Sequence, residues 1–163
     1  LRNAPQGGAE VELLFPRAPE LRTALPELEE ELPERPETPP LRVLVVEDEA
    51  AVRTLVIGLL RHLGHEATSV TSAAEARDSF RSGAFDLLLT DVVLAAGDGG
   101  ARLAEELREQ DPALAVLLMS GYADGMVGDS EFALASFPLL VKPFGTRALE
   151  AAIAALLSRQ GRA

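Results

Sequence analysis

From Leu41 onward two kinds of hydrophobic segment alternate along the chain. Short, nearly continuous apolar runs recur at Leu41–Val46, Asp86–Thr90, Ala115–Met119 and Leu139–Val141. Val- and Leu-rich runs of this length, closed by polar residues or Gly, predict strands buried on both faces. A short, less apolar strand is predicted at Glu66–Val70. Between these runs the apolar residues follow helical spacing. Val52, Leu55, Val56, Leu59, Leu60 and Leu63 share one face, and Gly64 is placed to stop that helix. Ser72 predicts the cap of a second helix running to about Phe80. Further helices are predicted over Ala101–Glu109, about Asp124–Ala135, and Thr146 to about Ser158. Strand and helix alternate five times. That predicts an α/β fold, a doubly wound parallel sheet with helices on both faces.

The first forty residues break this pattern. In residues 1–17 the pair Gly7-Gly8 precedes Val11-Glu12-Leu13-Leu14-Phe15-Pro16, which predicts a single strand that must find its partner elsewhere. Residues 18–40 carry seven Glu against two Arg, with recurrent prolines. That composition predicts a linker. Leu21, Leu25, Leu28 and Leu32 have helical spacing, and Pro26 suits a helix start, so a short helical piece is expected within it. The domain reading is therefore residues 1–17, a linker at 18–40, and a folded domain at 41–160.

Composition narrows the chemistry. The chain has no Cys, which excludes disulfides, zinc–thiolate sites and a cysteine nucleophile. Its formal net charge of −11 argues against binding nucleic acid or an anionic membrane by bulk charge. No apolar run approaches the ~20 residues of a membrane-spanning helix. A cytoplasmic domain is expected, with no nucleic-acid partner and no direct membrane contact. The first residue is Leu1 rather than Met, which reads as a piece of a longer protein whose other parts could be membrane-anchored.

The conspicuous polar residues all fall where strands end. Glu47 and Asp48 follow the first strand, Asp91 ends the third, Ser120 the fourth and Lys142, the only lysine, the fifth. In a parallel sheet these ends share one edge, where α/β folds bind ligands. Three carboxylates brought together repel, so one is protonated or a cation lies among them. Oxygen donors without Cys or His suit a hard divalent ion, and Mg²⁺ is the expected one. Lys142 would add a compact positive charge and Ser120 a hydroxyl donor. Such a pocket suits a phosphoryl group attacked by an Asp oxygen to form an aspartyl phosphate. Singly, each residue has an ordinary explanation: acidic residues solvate loops, a lone lysine decorates a surface, and Ser-Gly makes a turn. Five such residues at successive strand ends make coincidence a poor account. His62 and His65 flank the end of the first helix and are read as surface residues, and Phe132 and Phe137 as packing residues.

At these positions the chain resembles a response-regulator receiver domain, the CheY-like module of two-component signalling. The resemblance is carried by Val45-Val46-Glu47-Asp48-Glu49, Leu89-Thr90-Asp91-Val92-Val93, Met119-Ser120-Gly121-Tyr122 and Val141-Lys142-Pro143-Phe144, and it covers roughly three quarters of the chain. It implies a five-stranded flavodoxin-like sheet in the order 2-1-3-4-5. It implies that Asp91 accepts phosphate from a phosphohistidine on a histidine kinase or histidine phosphotransfer domain. It also implies that Asp48 and Asp91 bind Mg²⁺, that Glu47 reaches the ion through water, and that the carbonyl of Val93 completes the site. Ser120 and Lys142 would hold the phosphoryl oxygens. Two positions depart from the family pattern. Leu139 replaces the aromatic ring that usually turns inward on phosphorylation. Ala95 replaces the usual Pro four residues after the acceptor, and Tyr122 lies on a different loop from the missing ring.

The segment Gly7–Pro16 resembles the last strand of a histidine-kinase ATP-binding domain. This predicts a hybrid sensor histidine kinase in which the receiver regulates its own kinase core or exchanges phosphate with a phosphotransfer partner. No DNA-binding output domain is expected after the last helix. Lacking a histidine-bearing dimerisation helix and ATP-binding motifs, the chain itself is expected not to autophosphorylate with ATP. A stand-alone receiver acting as an interaction module is the alternative. A phosphatase with an Asp nucleophile is disfavoured, because Val93 stands where such enzymes commonly place a second Asp.

Overall fold

The computed structural model describes residues 2–3, 9–10, 39–94, 99–121, 136–159 and 161. The chain divides into two units, Leu1–Leu32 and Pro33–Ala163. In the first, strand β1 (Arg2–Asn3) pairs antiparallel with β2 (Ala9–Glu10). The strand expected at Val11–Pro16 lies outside the described residues, as does all of the linker except Pro39 and Pro40.

In the second unit the described elements are β3 (Arg42–Val46), α1 (Ala50–His62), β4 (Glu66–Val70), α2 (Ala73–Ser79), β5 (Leu87–Asp91), α3 (Gly100–Gln110), β6 (Ala115–Ser120), β7 (Leu139–Val141) and α4 (Thr146–Arg159). The helix expected at about Asp124–Ala135 falls outside the described residues. The sheet runs β4-β3-β5-β6-β7, and every neighbouring pair is parallel. Counted within this unit the order is 2-1-3-4-5, the fold class expected from the sequence. The chain passes from β3 outward to β4 and then crosses back to β5. The reversal therefore lies between β3 and β5, and a ligand crevice opens at their carboxyl ends.

Two cores explain why the central strands read as unbroken apolar runs. Leu44, Val46, Leu88, Val116 and Leu118 face one side, packed with Ala73, Ala76 and Phe80 and with Leu103, Ala104 and Leu107 of α3. Val43, Val45, Leu87, Leu89, Leu117 and Met119 face the other, packed with Val56 and Leu60 of α1 and Leu149, Ile153 and Leu156 of α4. Side chains alternate across a strand, so a strand buried on both sides has no polar period.

Local signals set the helix ends. Ser72 Oγ accepts the Glu75 N–H at 3.2 Å, and the Glu75 carboxylate accepts the Thr71 N–H at 2.8 Å, closing the first turn of α2. Gly64 adopts φ 82° just past α1, a backbone conformation that costs Gly little. No helix among the described residues is long and apolar enough to cross a membrane.

Two readings of side-chain placement are corrected. Leu55, expected on the buried face of α1, is 56% exposed. His65, expected on the surface, is buried because it tucks under the start of β3, where its Nδ1 accepts the Leu41 N–H at 3.3 Å. Burial holds the His65 imidazole below the ordinary value of 6.5, while the Glu150 carboxylate pulls the other way. The folded state therefore disfavours imidazolium. Its contribution to stability is complete above about 6.5 and is lost as the pH falls below it. Unfolding midpoints measured between pH 7.5 and 5.5 are expected to decline toward acid. His65→Leu should be less stable throughout but flatter with pH; an unchanged slope in that variant would contradict this account.

Candidate functional site

The site is built at the carboxyl ends of β3, β5, β6 and β7. Glu47 follows β3 directly and is 1% exposed. Its N–H continues the sheet by donating to the Val70 carbonyl at 3.3 Å. Its carboxylate turns back to accept the Glu49 N–H at 3.2 Å on Oε1, while Oε2 accepts Lys142 Nζ at 2.8 Å. Asp91, the last residue of β5, is also buried. Its Oδ1 accepts the Val93 N–H at 3.2 Å and its Oδ2 pairs directly with Lys142 Nζ. One ammonium thus bridges two carboxylates that are 95 and 51 residues away in sequence.

Asp48 completes the acidic group: carboxylate oxygens of Glu47, Asp48 and Asp91 all lie within 4.8 Å of one another. Three carboxylates against one ammonium leave an excess of two negative charges when all are ionised. A hard divalent cation matches that excess and that donor set, so these residues fit Mg²⁺ on charge and on ligand type.

The electrostatics follow from burial. Desolvation pushes the Glu47 carboxyl above the ordinary range, opposed by its bonds to Lys142. For Lys142 burial alone would lower the value, but the bonds to Asp91 and Glu47 carry it above 10.5. The ammonium is therefore secure, and its bond and charge are what oppose the upward push on Glu47.

The remaining expected residues are distributed as follows. Ser120 ends β6 and is buried, with its hydroxyl donating to the Gly121 carbonyl at 3.1 Å. Its own carbonyl accepts the Lys142 N–H at 2.7 Å, tying the lysine-bearing turn to the sheet. The Lys142–Pro143 peptide is cis. Val93 presents its side chain to solvent at 52% exposure. Leu139 is half-exposed on the edge strand, opposite Leu118 in register. Ala95 and Tyr122 lie outside the described residues.

Two contributors were not singled out in the sequence. Gly100 starts α3 against the back of the acceptor position. A Cβ there would overlap the Asp91 carbonyl oxygen and crowd Thr90 Oγ1 at 2.6 Å. Gly97, Gly99 and Gly100 stand close together in the sequence, and nothing there marks which of them carries the close approach. Arg53 donates from one nitrogen to the carbonyls of Glu47 at 2.8 Å and Asp48 at 3.1 Å. Its position one turn into α1 was the available signal, since helical side chains lean toward the N-terminus.

Comparison with known proteins agrees with this architecture. Residues 43–154 match the family model of the response regulator receiver domain. The sensor kinase CckA of Brucella abortus is 36% identical over 121 residues, 72% of this chain and 13% of that protein. The response regulator receiver protein CpdR of the same organism is 32% identical over 108 residues, 66% of this chain and 89% of that protein. Among solved structures, the response regulator TrrA of Thermotoga maritima, crystallised with Mg²⁺ and BeF, aligns with a TM-score of 0.61 at 29% identity, over 71% of this chain and 98% of that one. The chain belongs to the response regulator receiver family of two-component signalling. It spans about an eighth of the CckA sequence.

The site generates a paired prediction. Lys142→Met leaves Glu47 and Asp91 without their ammonium and is expected to destabilise the domain in EDTA by about 3 kcal/mol, the typical cost of breaking a buried pair. Asp48→Asn is expected to leave stability in EDTA near that of the starting chain but to remove the stabilisation that added Mg²⁺ gives by mass action. Urea unfolding with and without Mg²⁺ checks both. An Mg²⁺ response retained by Asp48→Asn would refute its place in the cation site.

Proposed function

We propose that this chain is the phosphoaccepting receiver of a two-component phosphorelay, with Asp91 taking the phosphoryl group from a phosphohistidine. The reading rests on one observation: the Lys142 ammonium bonded to both Glu47 and Asp91, with Asp48 in the same carboxylate group. An Asp91 oxygen attacks phosphorus, the P–N bond breaks with its electron pair left on the imidazole nitrogen, and that nitrogen takes up a proton. Lys142 already touches the reacting carboxylate, so its charge is in reach of the incoming phosphoryl oxygens. Ser120, at the end of the neighbouring strand, is positioned to turn its hydroxyl toward the same oxygens. Glu47, Asp48, Asp91 and the carbonyl of Val93 would hold Mg²⁺, which supplies positive charge against the phosphoryl oxygens. The Mg²⁺ and BeF complex of TrrA supports this choice of ion.

Incubation with Mg²⁺ and acetyl phosphate is expected to add one phosphoryl group by intact mass. Asp91→Asn should abolish the addition, and omission of Mg²⁺ should suppress it. Label that persists in Asp91→Asn, or that maps to another residue, overturns the assignment.

We further infer that the receiver belongs to a hybrid sensor histidine kinase. The resemblance of Gly7–Pro16 to the end of a kinase ATP-binding domain supports this, as does the match to a sensor kinase. CpdR, matched over most of its length, favours the alternative of a stand-alone receiver. The product of the whole gene, given ATP, is expected to label a histidine upstream of Leu1 and then Asp91. A gene product that lacks a kinase core, or that labels Asp91 only when a separate kinase is added, would decide for the alternative.

A further inference from the structure

We propose that Arg53 is a positioning residue for the cation site, acting as a brace that fixes the peptide planes of the two acidic residues after β3. This rests on the phosphoreceiver reading above and adds to it a residue that touches none of the reacting atoms.

The geometry is specific. Arg53 Nη1 donates to two successive carbonyls, Glu47 at 2.8 Å and Asp48 at 3.1 Å. Its own N–H donates to the Glu49 carbonyl at 2.9 Å, which starts the helix. From the other side of the turn the Glu49 N–H donates to Glu47 Oε1 at 3.2 Å. Carbonyl or carboxylate oxygens of all three residues in the Glu47–Glu49 turn are thereby engaged, two of them by a single guanidinium nitrogen. Among the described residues no side-chain cap adds to this brace, since Glu49 at the N-cap position of the helix that follows makes no such bond. With both carbonyls held by Arg53, the side chains of Glu47 and Asp48 leave the backbone in fixed directions, and their carboxylates reach the oxygens of Asp91.

Arg is suited to this place. Its planar guanidinium fixes the two N–H groups of the engaged nitrogen in one plane and loses less rotamer freedom per bond than an ammonium on a flexible stem. Outer groups that orient metal ligands commonly change affinity 10–100-fold when removed.

The idea has a distinguishing sign. Arg53 is a positive charge on the turn that carries two of the site's carboxylates. If it acted only through its charge, it would oppose a cation, and removing it would tighten Mg²⁺ binding. If it acts by positioning, removing it weakens binding. The two roles predict opposite directions for one substitution.

The test uses the full chain and three variants, Arg53→Met, Arg53→Lys and Asp48→Asn. Mg²⁺ affinity is measured by calorimetry, backbone amide hydrogen exchange is measured in EDTA, and the rate of phosphorylation by acetyl phosphate is followed against Mg²⁺ concentration. For Arg53→Met the expected result is an Mg²⁺ Kd raised about tenfold, faster exchange at the Glu49 amide without metal, and a maximal rate at saturating Mg²⁺ close to that of the starting chain. Arg53→Lys keeps the charge and should recover part of the affinity. Equal or tighter Mg²⁺ binding in Arg53→Met, or unchanged exchange at Glu49, overturns the proposal. A general loss of folding would slow the maximal rate and speed exchange across the whole sheet, and that pattern also counts against a local brace. A starting chain that binds no Mg²⁺, or is not labelled at Asp91, overturns the phosphoreceiver reading instead, and the metal-free exchange still decides the role of Arg53.

Discussion

The ammonium of Lys142, seated between Glu47 and Asp91, is the contact on which the rest of the arrangement depends. Both carboxylates are buried, and burial makes ionisation costly. The neighbouring Asp91 charge adds to the upward push on Glu47. The lysine works against that upward shift of Glu47 through its bond and its charge, while pairing with Asp91 at the same time. It also ties β7, the edge strand of the sheet, to the ends of β3 and β5.

That contact is a product of topology. Residues far apart in sequence meet because parallel strands all deliver their carboxyl ends to one edge. The crossover between β3 and β5 opens the crevice in which they meet. Hydrophobic burial on both faces fixes the register of the central strands β3, β5 and β6, since a slip of one residue would exchange their two core faces. The strand register is therefore also the register of the site. Asp91 pairs with Met119, and Ser120 pairs with Val141. Moving any of these strands by one step would take an anion or the cation out of reach.

Much of this was legible in the sequence, for definite reasons. Leu87, Leu88 and Leu89 read as a buried strand because apolar content alone marks a strand covered on both sides, and the polar residue that ends such a run marks the site edge. Ser72 and Gly64 announced helix ends through their own chemistry. Leu55 was misplaced because helical spacing defines a stripe, not how far the neighbouring sheet extends beneath it. His65 was misplaced because its burial depends on the return of β3, a contact 24 residues away in sequence. Arg53 went unnoticed because its partners are backbone carbonyls, which leave no trace in residue identity. Gly100 was hidden among other glycines, since a close approach is a property of two segments rather than of one.

The solitude of Lys142 has a further consequence. The chain contains no other lysine, so among its side chains the only primary amine is the one locked between two anions. Acylating reagents need that amine deprotonated and free, and both conditions are withheld while the bridge is closed. The extent of side-chain acylation thus becomes a chemical clock for how often the bridge opens, read at one site without introducing any probe.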